Sequence, residues 1–120
     1  IMAQTKYRGG QLGDEFTGAA ALTQSSGTVN IDWATSQIFN FTATQNITLN
    51  MQSVITGITK LIVITGEGQS NTIAFNVGGN AGTFNHLGGD YVDTAGTKNL
   101  VQVTAVDSTE FWYTISQIQT

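Results

Sequence analysis

From Thr28 onward the apolar residues recur at every second position, and a short polar or glycine-containing stretch ends each run. Val29, Ile31 and Trp33 share one face against Asn30 and Asp32. Phe39, Phe41 and Ala43 repeat the pattern against Asn40 and Thr42, and Ile47, Leu49 and Met51 against Asn46, Thr48 and Asn50. A period of two puts alternate side chains on opposite faces of an extended strand and gives no single face to a helix. The same reading predicts inward faces at Ile73, Phe75 and Val77, at Val101, Val103 and Ala105, and at Phe111, Tyr113 and Ile115, with a weak strand over 83–87. Turns are expected at 66–70, 78–82 and 107–109, and a loop opens at 88–90 and runs to Gly96. About eight short strands at this spacing, without helical segments between them, argue for an all-β fold. The expected architecture is an antiparallel β-sandwich or jelly-roll-like domain. No internal repeat of fixed period stands out.

Two places depart from simple alternation. Leu61, Ile62, Val63 and Ile64 are apolar on both faces, which predicts a strand covered on both sides by core or by a subunit interface. Trp112 points away from Phe111 and Tyr113, so it is read as a second-layer or interface residue, or as a platform for stacking a sugar.

Residues 1–27 lack the alternation and are read as an extended N-terminal arm before a β-domain at 28–120. Asp14 and Glu15 ahead of Phe16, Ala19, Ala20 and Leu22 allow one short helical turn, weakened by Gly18. Lys6, Tyr7, Arg8 and Phe16 are the candidate anchoring residues of the arm. Met2 reads as the natural start, and the chain as a near-complete small protein; no stretch has the make-up of a secretory signal.

Composition narrows the chemistry. The 120 residues include no Cys, which excludes disulfides, zinc-thiolate sites and a thiol nucleophile. Four Lys and Arg against eight Asp and Glu leave a net charge of −4, a poor basis for gripping a phosphate backbone, so no nucleic-acid partner is expected. No apolar run has the length of a membrane-spanning helix. His86, Asp90 and Asp93 are spaced as conceivable metal ligands but are read as solvated loop residues. Ser70, Ser108 and Asp107 lack the strand–turn–helix setting of a hydrolase serine, and Gly66-Glu67-Gly68 lacks the lysine of a phosphate loop. No catalytic residue, metal or cofactor is expected.

A family resemblance goes further. Val29, Ile31, Asp32 and Trp33 are followed by Phe39 to Thr42, by Asn46 to Met51 and by the apolar run ending at Thr65. Asn71-Thr72-Ile73-Ala74-Phe75, Val101 to Val106 and Phe111-Trp112-Tyr113 complete the series. This order resembles a β-domain of tailed-phage virion proteins of the tail-fibre, head-fibre and capsid-decoration type, over about 28–120. Members of that group often carry a Trp-Pro-Gly-Gly loop where this chain has Gly78-Gly79-Asn80-Ala81-Gly82. The resemblance implies a non-enzymatic virion protein, usually a homotrimer. The favoured reading is a small capsid decoration (cement) or head-fibre subunit, held to the major capsid protein or another virion protein by its arm. The alternative is a receptor-binding tail-fibre tip or lectin-like module that binds a host-surface glycan.

Overall fold

A computed structural model describes residues 19–22, 24 and 26–118. Among them the protein is all-β, with strands β1 (Ala19–Ala21), β2 (Thr28–Asp32), β3 (Ile38–Thr42), β4 (Ile47–Gln52), β5 (Thr59–Thr65), β6 (Ile73–Val77), β7 (Thr83–Gly88), β8 (Lys98–Ala105) and β9 (Glu110–Gln117). The strands form a six-stranded sheet in the order β1-β3-β5-β8-β9-β7 and a three-stranded sheet in the order β2-β4-β6. The chain therefore crosses from one sheet to the other at every step from β1 to β7.

The alternation read from the sequence is kept in these strands. Val29, Ile31, Trp33, Phe39, Leu49, Met51, Ile62, Ile64, Val101, Val103 and Phe111 are fully buried in one core shared by both sheets. Each such side chain contributes about 1.5–3 kcal/mol of transfer free energy. Trp33 packs its ring on Phe111, with centroids 5.9 Å apart, and its indole N–H donates to the Met51 thioether sulfur at 3.3 Å. The large apolar surface is thus buried without leaving the indole N–H unpaired.

Strand direction is where the antiparallel sandwich or jelly-roll expectation fails. β1, β3 and β5 pair in parallel, as do β2, β4 and β6, and β7 pairs in parallel with β9. Only β5 with β8 and β8 with β9 are antiparallel. Successive turns of chain stack in register like the rungs of a short solenoid: Val29 lies beside Leu49 and Leu49 beside Phe75. The hairpin β8–β9 then occupies the place between β5 and β7 that a further rung would take. Period-two patterning fixes which side chains point inward but is blind to strand direction.

Stacking places like residues above one another. Asn30, Asn50 and Asn76 share one register row on the outer face of the small sheet. Asn50 donates from Nδ2 to Asn30 Oδ1 at 2.9 Å and accepts from the Gly79 amide at 2.8 Å. Gly27, at φ +85°, lies against the next rung; a Cβ there would sit 2.9 Å from the Asn46 carbonyl oxygen. Ala19–Ala21, where a helical turn was conceivable, is a strand instead, because its backbone extends the edge of β3. This strand lies within the span read as arm, and Leu22 packs on the core.

Lys60 is a second departure. It is 1% exposed, directly before the apolar run Leu61–Ile64, and its Nζ donates to the Ser36 carbonyl at 2.6 Å. The long stem fills the end of the core while the ammonium reaches the turn between β2 and β3.

Replacing Trp33 with Ala removes the largest side chain of this core and its contact with Phe111. A loss of about 3–5 kcal/mol is expected in urea unfolding followed by tyrosine and residual tryptophan fluorescence.

Candidate functional site

Two surfaces carry the groups that could recognise a partner. The first is the outer face of the six-stranded sheet. Strand register aligns Ile38, Leu61, Gln102 and Thr114 in one row, and Asn40, Val63, Leu100 and Ser116 in the next. Leu61 and Val63 are half-buried on this face, whereas Ile62 and Ile64 between them are buried in the core. The second covering layer expected over them is not supplied by the described residues. Trp112 also lies on this face, 46% exposed, with its indole N–H donating to Glu110 Oε2 at 3.2 Å. Leu87 and Val106 border it in a shallow hollow. By register, the charged residues of this face among the described strands are Lys98 and Glu110. Leu61, Val63 and Trp112 are thus brought to one surface. Lys6, Tyr7, Arg8 and Phe16 lie outside the described residues.

The second surface follows from the unequal width of the sheets. Among the described residues the small sheet ends at β6, whereas the large sheet runs on from β5 through β8, β9 and β7. Phe75 on β6 has its ring 4.4 Å from Tyr113 on β9 and 5.1 Å from Phe84 on β7. His86 stacks nearly parallel on Tyr113 at 4.8 Å. Beside these rings opens a depression of about 460 Å³ bounded by Thr72, Phe75, His86, Asp90, Tyr91 and Tyr113. A neighbouring depression of about 490 Å³ shares Asn71 and Tyr91 with it and continues to Ser70, Asp93 and Thr94.

The loop that walls this groove is held from two sides. The Asp93 carboxylate accepts the Tyr91 hydroxyl at 2.5 Å and the backbone amides of Gln69 and Asn71 at 3.0 and 2.9 Å, with a longer bond from Glu67. Asn99, fully buried, donates to the carbonyls of Val92 and Ile64 and accepts the Val92 amide. Gly89, at φ +79°, passes so close to β9 that any Cβ would collide with the Ile115 carbonyl. His86 Nε2 is hydrogen-bonded to the Gly89 carbonyl, tying the end of β7 to the same loop.

Electrostatics follow from these contacts. Desolvation opposes the charge on Asp93, but the Tyr91 hydroxyl and the three amides outweigh it and hold the carboxyl down at about 2. Desolvation and the Asp93 charge together push the Tyr91 phenol well above its usual range. Desolvation, helped by Asp90, also raises Tyr113. Among the described residues no group of three His, Asp or Glu side chains is placed to hold a metal ion, and His86, Asp90 and Asp93 are no such group. They sit around the groove in separate roles: a stacking ring, an exposed carboxylate and a loop clamp.

No protein-family model matches the chain, and no curated protein or solved structure matches it significantly.

Because the folded pKa of Asp93 is depressed, its contribution to stability is present above the unfolded carboxyl pKa and lost as pH falls through the folded value. The window runs from about pH 4 down to about 2. Urea midpoints across that range should fall with acid in the native protein. In Asp93→Asn the same acid limb should be flatter and the neutral-pH midpoint lower.

Proposed function

We propose that the chain is a structural protein of a phage virion, a capsid decoration or head-fibre subunit that works as a homotrimer. On this reading its N-terminal residues, with Lys6, Tyr7, Arg8 and Phe16, attach it to the major capsid protein or another virion protein. It performs no catalysis. The order of apolar and polar residues from Val29 to Tyr113 supports the assignment by resemblance.

The observation that carries the assembly part is the outer face of the six-stranded sheet. Leu61, Val63, Ile38 and Leu100 form a half-buried apolar centre, Trp112 stands exposed beside them, and among the described strands charge is confined to Lys98 and Glu110. Apolar area flanked by Thr, Gln and Ser side chains can be covered by another copy without burying an unpaired charge. Three copies related by a closed rotation would each contribute one arm, so that attachment to a lattice gains from three linked contacts.

Light scattering over a dilution series tests this. A mass of three chains is expected for the native protein, and a single-chain mass for Leu61→Glu with Val63→Glu, with the far-ultraviolet β signal retained in both. A native protein that is a single chain at every concentration would contradict the assembly. Removing residues 2–18 leaves β1 intact and is expected to preserve the fold and the mass while abolishing capture by virion particles.

A further inference from the structure

We propose that the joined depressions on either side of Tyr91 form a binding groove for a neutral oligosaccharide. The groove is independent of the assembly face: along β9, Tyr113 and Ile115 point into it, while Trp112, Thr114 and Ser116 point to the opposite side of the sheet. Failure of the homotrimer would leave it untouched, and failure of the groove would leave the homotrimer untouched.

Charge decides the ligand class first. Among the described residues neither depression is lined by Lys or Arg, and both contain a carboxylate, Asp90 in one and Asp93 in the other. A phosphate, sulfate or acidic sugar would meet repulsion without a counter-charge. A basic peptide is also poorly served, because Asp93 is already occupied by the Tyr91 hydroxyl and three backbone amides. Only Asp90 offers an open carboxylate; its side chain makes no hydrogen bond to the described residues, and its place is set by its backbone carbonyl, which accepts from Gln117 Nε2 at 2.7 Å.

The remaining groups suit hydroxyls. The Tyr113 phenol has no hydrogen-bond partner among the described residues, and Thr72 and Ser70 present further hydroxyls along the floor. An apolar ligand would strip water from these groups and return nothing. Sugar hydroxyls donate to Asp90 and both donate to and accept from Tyr113, Thr72 and Ser70. The C–H face of a pyranose finds the open side of the His86 ring, whose other side is fixed on Tyr113 at 4.8 Å. Two depressions of about 460 and 490 Å³ meeting at Tyr91 and Asn71 make room for consecutive sugar units. The site is also built before binding: the Asp93 and Asn99 clamps hold its loop, so little ordering cost falls on the ligand.

The test is an array of neutral and acidic oligosaccharides, with hexalysine as the basic-peptide probe, read with the full chain. Native protein is expected to bind neutral glycans of two or more units. Asp90→Asn and His86→Ala should each weaken binding at least about tenfold, with the urea midpoint unchanged in Asp90→Asn and a cooperative urea transition retained in His86→Ala. Trp112→Ala should bind as the native protein does. The proposal is overturned if no neutral glycan binds, or if hexalysine or acidic glycans are preferred. It is equally overturned if Trp112→Ala abolishes binding that Asp90→Asn and His86→Ala retain.

Discussion

Backbone hydrogen bonding between successive turns of chain is the constraint from which the remaining structure follows. Each strand from β1 to β4 pairs in parallel with the strand two places later, so the chain must alternate between the sheets. Equivalent positions of neighbouring rungs then stack, and one row of inward residues becomes a continuous core wall. The Asn30–Asn50–Asn76 row is the polar counterpart of that wall: Asn50 is paired with Asn30 and with the Gly79 amide, while the buried Asn76 Oδ1 has no hydrogen-bond partner among the described residues. A rung displaced by one residue would turn Asn50 towards the core and Leu49 and Met51 away from it.

The β8–β9 hairpin ends this progression and creates both recognition surfaces. It widens one sheet to six strands while the other stays at three. The added width extends the outer apolar face from Leu61 and Val63 to Leu100 and Trp112. On its inner side Phe75 of β6 meets Tyr113 of β9, His86 of β7 stacks on Tyr113, and the groove opens beside these rings. A flat assembly face and a polar groove thus arise from one topological feature and look in different directions.

Much of the strand content was legible in the sequence. The inward sets at Val29, Phe39, Leu49, Val101 and Phe111 are buried as the alternation required, because pleating ties side-chain direction to position alone. Direction and repeat were not legible. Val29 pairs with Leu49 twenty positions on, but Leu49 pairs with Phe75 twenty-six positions on, and loops of unequal length hide the repeat from any fixed period. The recurring apolar–Asn–apolar triplets centred on Asn30, Asn50 and Asn76 were the signal available. Trp112, Leu61 and Val63 could be assigned to an outward face, since a strand apolar on both sides must present one of them. The groove could not, because Asp93 works through amides of a loop more than twenty residues earlier, and that closeness is set by the hairpin insertion.

The parallel in-register stacking is most directly tested by cross-strand nuclear Overhauser effects in the isotopically labelled protein. Amide and α-proton contacts should join Val29 to the neighbourhood of Leu49, and Leu49 to that of Phe75, with both partners' numbers rising together along the strands. Contacts in which one number rises as the other falls between these strands would contradict the stacked-rung architecture and the surfaces derived from it.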